Sequence, residues 1–232
     1  MRKQMTRFPL WLRKMFRPGR IVRIEEALGS RRSDAIRILD VGCGPHATYT
    51  KAYFNVSEYH GVDKHMWPGF EELYTNIDKM FYMDLERPDV SEIQDEHYDL
   101  IIMSHVIEHL PNGLEVIEMM TKKLAPNGVI YIESPSARTI NFPSAIGFMN
   151  FYDDPTHKRL YFDNEIIQTL QATGLRVLFT GFRRTLARAI LLPPISLVLN
   201  LFYYLPFKRR ITAWGLWELL GVARVWVAIR TS

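Results

Sequence analysis

The stretch Arg37-Ile38-Leu39-Asp40-Val41-Gly42-Cys43-Gly44-Pro45 decides the fold. A short apolar run suited to a β-strand (Ile38, Leu39, Val41) ends in Gly-x-Gly, and the chain then leaves through Pro45. Glycines at that point permit a tight turn and a close backbone approach to a ligand that a Cβ would push away. One strand later the chain reads Tyr59-His60-Gly61-Val62-Asp63, so a carboxylate closes the next apolar run. A spacing of about 20 residues suits a carboxylate that accepts the hydroxyls of a ribose. No third glycine follows, which argues against a pyrophosphate cradle and for a nucleoside without phosphates.

Outward from this stretch, residues 36–182 alternate strand and helix, the pattern of a parallel sheet with helices on its faces. Strands are predicted at 36–41, 58–62, 80–83, 98–103, 128–133 and 175–182, and helices at 46–54, 69–77, 113–124 and 164–173. Asp163 reads as the N-cap of the last helix and Gly174 as its terminator. Right-handed crossovers bring the C-terminal ends of parallel strands to one edge, where ligands of open α/β sheets bind.

Four segments, in order, resemble those of the class I S-adenosylmethionine-dependent methyltransferases. They are Leu39-Asp40-Val41-Gly42-Cys43-Gly44, Gly61-Val62-Asp63, Met83-Asp84-Leu85, and Tyr98-Asp99-Leu100-Ile101-Ile102-Met103-Ser104-His105-Val106-Ile107-Glu108-His109-Leu110. Leu124-Ala125-Pro126-Asn127-Gly128-Val129-Ile130-Tyr131-Ile132 follows as the family's next turn and strand. The resemblance implies a Rossmann-like, doubly wound, mostly parallel sheet with an antiparallel C-terminal strand, formed by Val222 to Ile229. It implies S-adenosyl-L-methionine as cofactor. Asp40, Gly42, Cys43 and Gly44 would lie around its methionine part, and Asp63 would take both ribose hydroxyls. Asp84 and the backbone amide of Leu85 would meet the adenine, and Ser104 and His105 would line the floor beside the reactive methyl.

Methyl transfer from a sulfonium is an in-line displacement with a good leaving group, so the protein mainly positions donor and acceptor and excludes water. The loop Phe151-Tyr152-Asp153-Asp154-Pro155-Thr156-His157-Lys158-Arg159-Leu160-Tyr161 lies between a strand and a helix, over the expected cofactor edge. His157 is the candidate base for an acceptor hydroxyl, and Asp154 is its alternative or the partner that orients it. In His105-Val106-Ile107-Glu108-His109, spacings of three and four would put both histidines and Glu108 on one face of a helix, a geometry suited to a metal ion. No metal ligand is assigned from the sequence.

Composition bears on where the chain works. It has 232 residues, 47% of them hydrophobic, a net charge of +4 and one cysteine, Cys43, so no disulfide framework exists and a reducing cytoplasm is expected. Residues 1–32 form a basic, amphipathic lead-in with ten Lys/Arg against Glu25 and Glu26. The methyltransferase core is expected at 33–182, a basic-apolar helical insertion at 183–221, and the terminal strand of the core sheet at 222–232. From Ala189 to Phe207 there is no charge, while Pro193, Pro194, Asn200 and Pro206 make a single membrane-crossing helix a poor fit. A single crossing would also leave the last strand on the wrong side. The expectation is therefore a peripheral element on the cytoplasmic face of an anionic membrane, with a substrate cap or a dimer interface as the alternative.

The function expected is O-methylation of a hydroxyl on a membrane-associated acceptor, a lipid-linked saccharide or a quinone precursor. Two alternatives stand beside it. One is an RNA methyltransferase whose basic blocks grip phosphates and whose histidine run holds a divalent metal, although the uncharged block 189–207 suits nucleic acid poorly. The other is a non-catalytic membrane-attached scaffold, against which the intact Gly-x-Gly, Asp63 and Asp84 count.

Overall fold

The computed structural model describes residues 17–44, 50–144, 149–184 and 220–231, with the isolated positions 190 and 194. Its centre is a seven-stranded sheet: β1 (Ile36–Val41), β2 (Val56–Asp63), β3 (Lys79–Tyr82), β4 (Tyr98–Ser104), β5 (Leu124–Pro135), β6 (Leu175–Phe182) and β7 (Ala223–Arg230). They lie in the order β3-β2-β1-β4-β5-β7-β6. Pairings among β1 to β5 are parallel, and β7 runs antiparallel between β5 and β6. The strand order reverses between β1 and β4, which opens a crevice at their C-terminal ends.

Period-two alternation divides the core into two layers. Leu100 and Ile102 of β4, with Val129 and Tyr131 of β5, point to one side. Ile101, Met103, Ile130 and Ile132 point to the other. Because both faces are covered, these strands read as nearly continuous apolar runs.

Helices α1 (Gly19–Leu28), α2 (Glu71–Tyr74), α3 (Gly113–Thr121) and α4 (Asp163–Ala172) surround the sheet. On α1 the spacing of Ile21, Ile24 and Leu28 makes one apolar stripe, fully taken up by the core against β5 and β7. Gly29, with φ +57°, ends that helix. The amphipathic segment before it, from Phe8 to Phe16, lies outside the described residues, as do 185–189, 191–193 and 195–219 of the insertion. Among the described residues, no helix is long and apolar enough to cross a membrane.

Some expectations change in detail. The helix predicted over 69–77 is a single turn, because Ile77 N–H bonds back to Tyr74 in a tight turn (3.0 Å) that delivers the Asp78 carboxylate to Tyr59 N–H (2.7 Å). Of the helix predicted over 46–54, residues 46–49 lie outside the described set and only Thr50 and Lys51 are helical. Asp163 is the first residue of α4 rather than its cap. Its carboxylate is taken by Arg224 and by the Trp226 indole N–H (3.0 Å), so Glu165 reaches back to Phe162 N–H instead (3.0 Å).

Candidate active site

The glycine turn after β1 is pinned to β2. Gly42 N–H donates to the Val62 carbonyl (2.7 Å), and Gly44 N–H donates to Asp63 Oδ2 (2.9 Å). Both glycines have left-handed φ values, +66° and +48°. A Cβ on Gly42 would stand 2.4 Å from Val106 Cγ2, whereas above Gly44 the nearest atom among the described residues is Trp67 Nε1 at 4.0 Å. Among the described residues the turn is thus packed on its inner side and open on its outer side, where a ligand can reach the backbone. Gly42→Ala combines a strained φ with an overpacked contact, and should lower unfolding stability by about 2–4 kcal/mol. Urea titration of the two proteins checks this.

The other sequence-selected residues of this edge take different places. Asp40 is buried (5% exposed) and accepts the Tyr59 hydroxyl, so its carboxylate serves the interior. Burial, then the nearby Asp40 and Asp63 carboxylates, push the Cys43 thiol far up, leaving it inert. Asp84 lies at the surface, its Oδ1 accepting Glu86 N–H (3.0 Å) and its Oδ2 accepting Lys64 Nζ (2.8 Å). The Lys64 bond holds the Asp84 carboxyl below the usual range. Leu85 packs its side chain into the core. Ser104 ends β4 in register with Glu133 of β5.

His105 is not on a common helical face with His109. Its φ is +58°, and only Ile107–His109 make a single 3-10 turn. The imidazole lies between two fully buried carboxylates, with Nδ1 2.9 Å from Glu108 Oε1 and Nε2 3.0 Å from Glu133 Oε1. Burial opposes its charge, but the two carboxylates outweigh that and push its pKa up to about 9. Glu133 also receives the Tyr131 hydroxyl (2.5 Å) and Arg183 Nη1 (2.5 Å); against its burial, the Arg183 guanidinium and then the His105 ring hold it ionised. Sequence reading missed Glu133, which stands in β5 without a local pattern to mark it.

Beside this network is a cavity of about 210 Å³. Its lining combines the apolar Pro135, Met149, Phe151 and Val222 with the polar Glu108, His109, Asp154 and His157. The 154–159 loop reaches this place by backbone bonds: Lys158 N–H (2.7 Å) and Arg159 N–H (3.2 Å) both donate to the Glu108 carbonyl. His157 Nδ1 bonds to the Phe151 carbonyl (2.6 Å), while Asp154 Oδ1 accepts both the Thr156 hydroxyl (2.6 Å) and Thr156 N–H (2.8 Å). Burial works against the Asp154 charge, but the Thr156 bonds prevail and keep the carboxyl below the usual range. Of the loop residues singled out in the sequence, His157 and Asp154 both line the cavity, and Glu108 and His109 join them there.

Relatives share this architecture. A family model for a methyltransferase domain matches residues 12–180. The ubiquinone biosynthesis O-methyltransferase of Rickettsia bellii is 26% identical over 172 residues, covering 69% of this chain and 70% of that protein. A SAM-dependent methyltransferase from Archaeoglobus fulgidus superposes with a TM-score of 0.59 at 20% identity, over 90% of this chain and 92% of its own. Phosphoethanolamine N-methyltransferase 2 of Haemonchus contortus, solved with S-adenosyl-L-methionine, gives a TM-score of 0.59 at 14% identity, over 93% of this chain and 54% of its own. With the glycine turn open beside Asp63 and the sheet order reversing above it, the chain belongs to the methyltransferase domain family and is a class I S-adenosylmethionine-dependent methyltransferase.

Proposed function

We propose that the chain methylates oxygen, on a small acceptor whose reacting hydroxyl stands on an apolar ring, as in a quinone precursor. The observation that carries this is the cavity's mixed lining: the apolar Pro135, Met149, Phe151 and Val222 together with the hydrogen-bonding Glu108, His109, Asp154 and His157. A cavity of about 150 Å³ takes a benzene ring, so the volume here suits one substituted ring with its remaining chain outside. The name of the Rickettsia relative supports the same chemistry. A lipid-linked saccharide, more polar throughout, matches the apolar part of this lining less well.

S-adenosyl-L-methionine supplies an electrophilic methyl on a sulfonium sulfur. For the cofactor, we assign the open Gly42–Gly44 turn to its methionine part, the Asp63 carboxylate to the ribose hydroxyls, and Asp84 with the Leu85 amide to the adenine. Lys64 must then release Asp84 or share it. At the acceptor end, His157 is the contact for the hydroxyl, because its bonded Nδ1 leaves Nε2 as the atom with a free lone pair. Asp154, held by Thr156, orients the loop. The basic and apolar sequence of 1–32 and 183–221 supports delivery of the acceptor from an anionic membrane surface.

Methyl-labelled S-adenosylmethionine incubated with the protein and separated cell fractions tests this. Label is expected in membrane lipid, in an ether-linked methyl. Label in RNA or protein, or in a nitrogen-linked methyl, would overturn the reading.

A further inference from the structure

We propose that Glu133 is a positioning residue for methyl transfer: it holds the His105 ring against Glu108, and through that turn it sets where His157 meets the acceptor. The role rests on the reading of His157 given above. Glu133 does not itself line the cavity, so it acts through the groups it holds.

The contacts run outward from β5. Glu133 Oε1 takes His105 Nε2 (3.0 Å) and Arg183 Nη1 (2.5 Å), its Oε2 takes the Tyr131 hydroxyl (2.5 Å), and its carbonyl takes His105 N–H (2.8 Å). On the far side of the ring, Nδ1 stands 2.9 Å from Glu108 Oε1. Glu108 is fully buried and its Oε2 has no hydrogen-bond partner among the described residues. The His105 ring is therefore what fixes the Glu108 side chain. The carbonyl of Glu108 receives Lys158 N–H and Arg159 N–H, and these bonds carry His157 into the cavity.

Backbone strain marks the centre of this chain of contacts. His105 has φ +58° without being glycine, at a cost of about 1–2 kcal/mol. Such residues persist where the surroundings over-determine them, and they cluster at active sites. Here both ring nitrogens and the main-chain N–H are all taken, two of the three by Glu133.

Charge gives the same answer. Burial and the Glu133 carboxylate keep the Tyr131 hydroxyl protonated, against the Arg183 and Arg20 guanidiniums, so Tyr131 adds no charge. Glu108 and Glu133 are then balanced by Arg183 and by the His105 ring only when that ring is an imidazolium. Burial opposes the ring's charge, but the Glu108 and Glu133 carboxylates push its pKa up to about 9. The balance thus holds at neutral pH and is lost as pH rises through that value. Removing two carboxylates wholly from water costs several kcal/mol per ion before attraction offsets it, and apolar packing is often as stable. The network accordingly serves geometry more than folding stability. Arg183, where the chain leaves β6, ties it to the start of the 183–221 segment.

The test compares the full-length protein with Glu133→Gln by two readouts. The first needs no acceptor: imidazole nitrogen resonances, with those of His105 and His157 identified by His105→Gln and His157→Ala. The His105 imidazolium pattern is expected up to a pH of about 9. In Glu133→Gln it should turn neutral at lower pH and the His157 signals should move, while cofactor affinity stays within about twofold. The second readout is transfer of label from methyl-labelled S-adenosylmethionine to membrane lipid. Its maximal rate should fall by about 10- to 100-fold, with the alkaline limb displaced toward neutrality. Should circular dichroism show that Glu133→Gln does not fold, Arg183→Met takes its place, and Arg183→Lys should restore the rate. A neutral His105 ring at neutral pH in the unaltered protein, or unmoved His157 signals in a folded variant, would overturn the role. Absence of label from the lipid would count against the acceptor reading alone, because the ring signals decide the positioning without it.

Discussion

Asp63→Ala is expected to abolish S-adenosylmethionine binding in a chain that still folds. Asp63 ends β2 with one oxygen on Gly44 N–H (2.9 Å) and the other on Lys64 N–H (2.7 Å). In the proposed complex the same carboxylate also accepts two ribose hydroxyls. Hydrogen bonds to a charged group contribute about 1.5–3 kcal/mol each, so losing two of them should weaken binding by 100-fold or more. The sheet does not depend on this side chain, because the Val62 carbonyl still holds the turn through Gly42 N–H. Calorimetric titration with the cofactor, alongside a thermal melt, separates the two effects. Asp63→Asn keeps an acceptor for Gly44 but loses the charge, and should lie between. Unchanged affinity in the alanine variant would mean that another group recognises the ribose.

His157→Ala should act on the opposite end of the reaction. Turnover is expected to fall by about 100-fold or more, with cofactor affinity within about twofold. The loop should stay in place, because it is docked by the N–H groups of Lys158 and Arg159 rather than by the imidazole. The removed ring packs between Phe151 (4.6 Å between centroids) and His109 (4.9 Å), so some local loosening is expected. Asp154→Ala makes the contrast: its carboxylate works through Thr156, and its loss should cost only a few-fold. Single-turnover kinetics with saturating cofactor distinguish these outcomes. Normal turnover in the His157 variant would return this residue to a purely structural role.

The sheet was legible because each strand carries its own signal. Ile38-Leu39 with Val41, Ile101-Ile102-Met103 and Val129-Ile130-Tyr131-Ile132 are apolar runs whose neighbours fix their ends. Asp63 stood out because a carboxylate closed such a run at a meaningful distance from the glycines. The polar pole was only half legible. Glu108 and His109 drew attention together, but as companions of His105 on an assumed helix. What breaks that grouping is non-local: Glu133, 28 residues on, captures the His105 ring, and the left-handed turn at His105 turns the chain away from helical spacing. What replaces it is also non-local, since the Glu108 carbonyl receives the N–H groups of residues 158 and 159 and so brings His157 alongside. No periodicity encodes a backbone bond between segments that far apart. The uncharged run 189–207, apart from positions 190 and 194, lies outside the described residues.

The placement of β7 between β5 and β6 has a further consequence. Phe182 and Arg224 face each other in register, Arg183 N–H donates to the Ala223 carbonyl (2.9 Å), and Ser136 N–H donates to that of Val222 (2.7 Å). The chain therefore departs from the sheet and rejoins it at neighbouring points, beside the cavity that Val222 lines, and the sheet itself holds those points together. When both ends are already fixed, the free-energy cost of a longer or shorter excursion grows only slowly with its length. A connection of very different length could therefore join these two anchors without disturbing the glycine turn or Asp63.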